Sequence, residues 1–244
     1  MLDLIIPDWP APPWIKAFTT TRRGGVSVPP FNSLNLSLAV GDNPDHVAQN
    51  QQLLQSSLGL SQNFLRLKQV HGNKAILAHR ALCDPIADAI YTKEPRVVCA
   101  VQTADCLPLL VCSRTHHCIA AIHAGWKGLA AGIIENSIKA LDRSADDLLV
   151  WLGPAIGPQA FVVGPEVVKI FIEKDNEAKL AFQQVSKEQW QANLYQLAKQ
   201  RLNILGIKAI YGGNHCTFTE KEKFFSFRRD KITGRMASLI GINT

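Results

Sequence analysis

Four closely spaced apolar segments in the middle of the chain constrain its fold more than any other feature. They cover residues 97–101, 107–112, 118–122 and 148–152 and read as buried strands. Between the third and fourth segments, apolar residues recur at helical spacing, namely Leu129, Ile133, Ile134, Ile138 and Leu141. Because strands both follow one another directly and alternate with helices, we predict an α/β (α+β) fold with mixed sheets flanked by helices.

The flanking segments carry weaker signals of the same kind. A helix is expected from Asn43 or Asp45, either of which can cap it, to Gly59, with an apolar face of Val47, Leu53, Leu54 and Leu58. Further helices are expected near 165–172 and 188–205. Strands are expected at 18–21, 64–70 and 207–211.

Length and composition indicate one globular unit. The chain has 244 residues, of which 47% are hydrophobic and 19% charged, so we expect a single domain over 1–244. Residues 1–13 lack the basic start and apolar run of a signal peptide, and no stretch approaches the ~20 apolar residues of a membrane helix. We therefore expect a cytoplasmic protein, in which the six cysteines, Cys83, Cys99, Cys106, Cys112, Cys118 and Cys216, are thiols or ligands.

Positive charge is concentrated near the end of the chain. Residues 221–235 contain six basic and two acidic side chains, which is most of the net charge of +6. Such a segment can form a nucleic-acid surface, a pocket for phosphate, or simply a solvated basic face, and a charge run taken alone favours the last.

His71, Cys106 and His123 each lie where a predicted strand gives way to a turn. Strand ends present side chains to clefts, and two imidazoles with one thiolate leave one position of a zinc ion open, as catalysis requires. The spacing matches no short metal motif, however, and composition alone favours a structural role over a ligand role for each histidine and a buried thiol for Cys106. The sequence His-His-Cys at 116–118 is interpreted as a surface turn.

Other motifs exclude common enzyme classes. Gly-Trp-Lys-Gly at 125–128 precedes a helix and can bind an anion there, or can be a glycine turn beside a core tryptophan. The chain has no Gly-x-Gly-x-x-Gly, no Walker loop and no His-Glu-x-x-His. This argues against a dinucleotide enzyme, a common NTPase and a zincin protease.

Several ordered motifs together resemble the YfiH family, also called the multicopper polyphenol oxidase or laccase-domain family. The motifs are Gln-Val-His-Gly at 69–72, Thr-Ala-Asp-Cys-Leu-Pro at 103–108, His-Ala-Gly-Trp at 123–126, Trp-Leu-Gly-Pro-Ala-Ile-Gly at 151–157, and the tail at 224–230 with Thr-Gly-Arg at 233–235. Shorter matches occur at 21–27, 33–36, 41–44, 87–89 and 216–217. Two positions depart from the family, since Lys127 replaces a usual arginine and Phe227 a usual tyrosine.

The resemblance implies a fold, a metal site and an activity. The family fold has two mixed β-sheets between helical layers and is similar to that of bacterial toxin deamidases. The family's metal ligands fall on His71, Cys106 and His123, with Zn²⁺ expected and Cu²⁺ as an alternative occupant. Its members phosphorolyse adenosine, inosine and methylthioadenosine and deaminate adenosine, and bacterial relatives are linked to editing of peptidoglycan precursors. We therefore expect purine nucleosides and phosphate as partners of a monomer, with no nucleic acid or membrane.

Polar residues near the motifs are assigned roles as hypotheses. Arg22, Arg228 and Arg229 are candidates for phosphate binding, because arginines donate charge-assisted hydrogen bonds to oxyanions, and Asn35 is a candidate for substrate binding. Asp105 is a candidate for proton transfer or ligand orientation together with Asp88. The alternative for Asp105 is a turn cap beside Cys106.

Three other functions remain open at this level. A metal-free cysteine hydrolase would use Cys106 as nucleophile and His123 as base. A copper oxidase is disfavoured because a laccase needs several copper centres and therefore many histidines. This chain has seven, of which only two are assigned to the site. A non-enzymatic module with a structural zinc would need a fourth ligand, for which Cys216 is the candidate.

Overall fold

The computed structural model describes residues 2–59, 67–78 and 85–243. The strands are β1 Leu4–Ile5, β2 Ile15–Thr20, β3 Ala75–Leu77, β4 Ala89–Thr92, β5 Val98–Thr103, β6 Leu107–Ser113, β7 Ile119–Ala124, β8 Leu148–Leu152, β9 Val162–Val163, β10 Phe182–Ser186, β11 Gln189–Ala192, β12 Ile210–Gly212 and β13 Met236–Ile242. The α-helices are α1 Pro44–Leu58, α2 Trp126–Ala131, α3 Ile133–Leu141, α4 Pro165–Ile172, α5 Leu194–Ile204 and α6 Phe227–Asp230. Short 3₁₀ helices cover Leu38–Val40, Ala145–Asp147 and Asn176–Ala181.

Two sheets form the centre of the molecule. The larger has the order β12-β8-β6-β7-β4-β3, with parallel pairs at both ends and antiparallel pairs between them. The smaller has the order β1-β2-β13-β5 and is antiparallel throughout. A third, antiparallel sheet of β10-β11-β9 lies apart from them. The predicted α/β class is confirmed, and of the two main sheets only the six-stranded one is mixed.

The alternating direction of side chains along the strands explains why the two sheets stack on each other. On β6, Leu109 and Val111 pack with helices α2 to α5, whereas Leu110 and Cys112 pack against the four-stranded sheet. The other face of the four-stranded sheet packs on α1 and the loop before it. Successive side chains of a strand point to opposite faces, so a strand that is apolar at every position is covered on both sides. The result is the predicted order of helix, sheet, sheet, helix.

The central strands agree with the sequence prediction to within a few residues, but two helices do not. The apolar run 129–141 divides into α2 and α3 at Gly132, whose φ of 90° is a conformation that favours glycine. The helix expected from 188 begins only at Leu194, after strand β11, because Asn193 caps it and accepts from Gln196 N.

The strand expected at 64–70 is not formed where the structure describes it. Residues 64–66 lie outside the described residues, as does Cys83, and within 67–70 only Lys68 pairs, in an isolated bridge with Ile86. His71 therefore follows an irregular segment rather than a strand.

Helix α1 begins and ends as predicted, with Asn43 as its cap and Gly59 after its last turn. Its buried face differs from the prediction, because Leu53 is 37% exposed and Asn50 is fully buried in its place. The Asn50 amide donates to Ser27 Oγ, Ser33 O and Asn35 O and accepts from Val26 N. These bonds attach the loop at 26–35 to the helix. Among the described residues, no helix is long and apolar enough to cross a membrane.

Candidate metal centre

Strand pairing brings three distant chain segments together. Strands β6 and β7 are antiparallel with Leu107 opposite Ala124, so Cys106, one residue before β6, lies beside Gly125 and near His123. Strand β4 pairs with β7 on the other side, so Asp88, which precedes β4, lies beside His123. The backbone carbonyl of Asp88 accepts from the His123 backbone N–H at 2.7 Å. The turn carrying His71 is attached to this edge through Asp88.

The three predicted ligands lie close together. One donor atom from each of His71, Cys106 and His123 lies within 4.8 Å of the other two, and Cys106 Sγ is 3.7 Å from His71 Nε2. Tetrahedral zinc with ordinary Zn–S and Zn–N bonds separates sulfur and nitrogen ligands by about 3.5 Å. His71 is exposed, Cys106 partly exposed and His123 buried, so the group opens to solvent on the His71 side. This donor set is chemically suited to a metal ion.

Asp88 connects two of the three ligands. Its fully buried carboxylate accepts from His123 Nδ1 at 2.8 Å and from the backbone N–H groups of His71 at 2.9 Å and Gly72 at 2.7 Å, with a longer contact to Val70 N. Burial alone raises the pKa of Asp88, but the hydrogen bonds from His123 and these N–H groups outweigh it and lower the pKa. Because Nδ1 of His123 donates to Asp88, its Nε2 is left for a ligand.

Cys106 and His123 influence each other strongly. Burial raises the pKa of the Cys106 thiol, but the charges and hydrogen bonds of His123 and His71 outweigh burial and lower it to about 6. Burial lowers the pKa of His123, while the Cys106 thiolate and Asp88 raise it to about 9. Without a metal, the pair is therefore a thiolate beside an imidazolium near neutral pH.

Asp105 and Asn35 each hydrogen-bond to neighbouring parts of the chain. The Asp105 carboxylate accepts from Thr217 Oγ1 and from the Arg228 backbone N–H, both at 2.6 Å, so it joins the turn before Cys106 to helix α6. Asn35 is fully buried, and its amide oxygen accepts from Ser37 N and Arg235 N while its NH₂ donates to Ser37 O and Asp42 Oδ2. Both side chains position neighbouring segments.

The three predicted phosphate-binding arginines are not equivalent. Arg229 directs all five of its N–H donors to Thr217 O, Phe218 O, Phe224 O and both oxygens of Asp230. Arg22 donates to Asn32 and to Lys221 O, and its guanidinium lies 4.8 Å from the Phe225 ring centroid. Among the described residues, the Arg228 side chain makes one hydrogen bond, from Nη1 to Val162 O. Arg228 therefore retains the most donors for a ligand.

Cys216 lies outside the ligand group. Its sulfur accepts from the Gly157 N–H at 3.2 Å, and the group formed by the described residues has only His71, Cys106 and His123 as members. The structure therefore does not close the site with Cys216 as a fourth ligand. His116 and His117 are exposed in the turn between β6 and β7, as the surface-turn interpretation expects, whereas Cys118 is fully buried in the core.

Comparison with known proteins agrees with this geometry. The family model for the multi-copper polyphenol oxidoreductase laccase matches residues 16–243. The chain belongs to this family. It is 50% identical over 241 residues to a Haemophilus influenzae protein named purine nucleoside phosphorylase, covering 98% of this chain and 99% of that one. It is 48% identical to the purine nucleoside phosphorylase YfiH of Escherichia coli, with the same coverage.

A solved structure supports the fold of this YfiH-type chain over its whole length. The Neisseria meningitidis protein NMB0706 superimposes with a TM-score of 0.96 at 44% identity and covers 99% of both chains. The Thr-Gly-Arg motif at 233–235 ends directly before β13, so Arg235 lies at the end of the four-stranded sheet near the turn that carries Cys106.

Proposed function

We propose that the chain is a zinc-dependent purine nucleoside phosphorylase, acting as a single domain over 1–244. The observation that carries the proposal is the three-ligand group of His71, Cys106 and His123, which is partly open to solvent and is oriented by a buried carboxylate. The names of the relatives at 50% and 48% identity support purine nucleosides and phosphate as substrates.

The donor set favours zinc over copper. Two imidazoles and one thiolate are ordinary ligands of catalytic zinc, which keeps one position open. A laccase needs several copper centres, whereas the described residues form one group of three such ligands. A bound zinc ion supplies a Lewis acid and lowers the pKa of bound water towards neutrality.

Phosphorolysis sets a clear task for the side chains around the group. A phosphate oxygen bonds to C1′ of the ribose as the C1′–N9 bond breaks, and the electron pair leaves with the purine, which takes up a proton. Of the three predicted arginines, Arg228 has the most donors left to bind phosphate. Asp88 keeps His123 in one tautomer and orientation, and Asp105 holds helix α6 beside Cys106.

Replacement of His123 by alanine tests the proposal. We expect the variant to lose both bound zinc, measured by mass spectrometry of the metal, and release of hypoxanthine from inosine in phosphate buffer. Full phosphorolysis by a variant without zinc would contradict the metal-dependent mechanism.

The finer expectations belong to the same proposal. They are adenosine deamination at the same site, a cytoplasmic monomer, and a physiological role in editing peptidoglycan precursors. A screen of the zinc-loaded protein against nucleosides with phosphate, and against muropeptide precursors, tests the activities among these expectations. Released base and released ammonia are followed in each case.

A metal-free cysteine hydrolase is the second candidate function. The lowered pKa of Cys106 and its 3.7 Å distance to His71 Nε2 favour it, because a thiolate beside an imidazole is an activated nucleophile. Metal content decides between the two. Activity that persists after removal of all metal with a chelator would favour the hydrolase, and activity restored only by zinc would favour the phosphorylase.

A further inference from the structure

Arg235 lies beside the candidate metal centre. It immediately precedes β13, whose first residue, Met236, pairs with Thr103 at the end of β5. Because the two strands are antiparallel, Arg235 continues towards the turn that carries Asp105 and Cys106. Burial lowers the pKa of Arg235, and the charges of Cys106 and Asp105 raise it in part. Strand pairing thus brings Arg235 next to the turn that carries Cys106.

The guanidinium of Arg235 has one occupied edge and one open edge. Its Nη1 donates to Thr233 O at 2.9 Å and to Gly234 O at 3.0 Å, which fixes the side chain. Its Nε and Nη2 have no partner among the described residues, and neither atom is fully buried. The Phe227 ring covers the group at 5.9 Å from its centroid. The open Nε–Nη2 edge is a fork that matches two oxygens of a tetrahedral oxyanion.

The other arginines nearby lack this combination. Arg229 has no donor left, and Arg22 uses Nε, Nη1 and Nη2 within the loops at 32 and 221. Arg228 keeps its Nε and Nη2, but its side chain extends to Val162 O and the Phe161 ring. Of these four arginines, Arg235 combines an open Nε–Nη2 edge with a position beside the turn that carries Cys106.

We propose that Arg235 binds the phosphate co-substrate through its Nε–Nη2 edge, beside Cys106. This inference rests on the proposed phosphorolysis and adds a residue to it. Two phosphate oxygens accept from the fork, and a third oxygen is free to attack C1′ as the purine leaves with the electron pair. The fixed guanidinium thereby orients the nucleophile and partly neutralises its charge.

Kinetics of conservative variants test the role. In Arg235→Lys the charge remains but the fork is lost, so the KM for phosphate should rise about tenfold or more at saturating inosine. The KM for inosine and the zinc content should change less than about twofold, because neither depends on the fork. Arg23→Gln removes an exposed arginine that contacts Glu222, and serves as the matched control with unchanged constants. An unchanged KM for phosphate in Arg235→Lys, or equal rises for phosphate and inosine, would overturn the inference.

Direct binding separates this inference from the proposed function. Calorimetric titration of the zinc-loaded protein with inorganic phosphate should give heat for the wild type and Arg23→Gln, and at least about tenfold weaker binding for Arg235→Lys. Phosphate binding that depends on Arg235 in a protein that releases no purine would retain the oxyanion site and reject phosphorolysis. Phosphorolysis by the wild type, with equal phosphate binding by Arg235→Lys and Arg23→Gln, would retain phosphorolysis and reject the oxyanion site at Arg235.

A measurement on the wild type covers the case in which the variants fail to fold. Phenylglyoxal modifies accessible guanidinium groups, and peptide mass spectrometry locates the products. We expect phosphate to protect Arg235 and leave Arg23 unprotected. Equal modification of Arg235 with and without phosphate would reject the site.

Discussion

At Gly125, a β-carbon would lie 2.9 Å from both Cys106 Sγ and His71 Cδ2. Two of the three ligands therefore occupy the volume that any other residue would need. The backbone itself is ordinary, with φ of −65° and ψ of 162°. The glycine is required by close approach of the ligands rather than by backbone conformation.

Gly125→Ala should therefore leave folding intact and disturb the ligands. We expect about tenfold weaker zinc affinity, because the methyl group displaces Cys106 or His71. Competition with a chromogenic chelator measures the affinity. Gly241→Ala, in strand β13 with its β-carbon 3.3 Å from Val98 Cγ2, is the matched control and should bind zinc normally. Equal affinities for both variants would count against this account.

Asp88 is the second residue with a measurable effect on the ligands. Asp88→Asn replaces an acceptor of four N–H groups by a side chain with one oxygen and a repelling NH₂. We expect zinc affinity to fall about 10- to 100-fold, as for other residues that orient metal ligands. Asp147→Asn changes the same charge far from the group and should leave zinc affinity unaltered. A similar loss in both variants would mean that the effect is not specific to Asp88.

At the scale of secondary-structure elements, a polar side chain in helix α1 is buried where the sequence pattern predicts an apolar one. Helix α1 buries Asn50 where the apolar pattern predicts Leu53, because the amide satisfies four backbone and side-chain groups of the loop at 26–35. Buried loop backbone must be hydrogen-bonded, and this amide supplies the bonds.

Asn50→Ala should lower the free energy of unfolding by about 3 kcal/mol, since it leaves several buried groups without partners. Leu53→Gln on the same helix should cost less, about 1 kcal/mol, because Leu53 is 37% exposed whereas Asn50 is fully buried. Urea denaturation measures both. A larger loss for Leu53→Gln would reverse the assignment of the buried face.

The turn between β6 and β7 depends on Asp147 in a pH-dependent way. Burial by itself raises the pKa of Asp147, but hydrogen bonds from the Ser113 and Thr115 hydroxyls and from Thr115 N–H lower it below its ordinary value of 3.8. A carboxylate with a lowered pKa contributes stability above its unfolded pKa, and the contribution is lost as pH falls through the folded value.

Asp147→Asn should therefore destabilise the protein by about 1–2 kcal/mol at pH 7. The difference from wild type should begin to shrink as pH falls below the ordinary pKa of 3.8, and should vanish as pH falls through the lower pKa of the folded protein, where the wild-type carboxyl is protonated. Urea denaturation of both proteins at about pH 7, 5 and 2 measures this difference. A gap that stays constant across this range would show that the charge is not involved.

At the scale of the whole molecule, the metal centre joins segments that are far apart in the chain. His71, Cys106 and His123 come from the turn before β3, the β5–β6 turn and strand β7, and are adjacent only when the six-stranded sheet is formed. A ligand that binds the folded state alone stabilises that state.

Zinc at 100 times its dissociation constant should raise the free energy of unfolding by about 2.7 kcal/mol. Thermal unfolding with and without zinc measures the shift in Tm. His123→Ala should show no shift on addition of zinc, whatever its own stability. A zinc-dependent shift of equal size in that variant would mean that the ion binds elsewhere.

Local sequence signals determined the central strands and helix α1 with its caps, whereas the resemblance to the family supplied His71, Cys106 and His123 as predicted metal ligands. Hydrophobic periodicity and capping are properties of neighbouring residues and are therefore readable from the sequence. The roles of single polar groups were decided only by the tertiary structure. All donors of the Arg229 side chain are taken up by nearby parts of its own segment. Asn35 accepts a hydrogen bond from the Arg235 backbone, and Asp88 accepts one from His123. The last two contacts join residues that are distant in sequence. Such pairs exist only after the sheets have assembled, because no local pattern specifies which donor meets which acceptor.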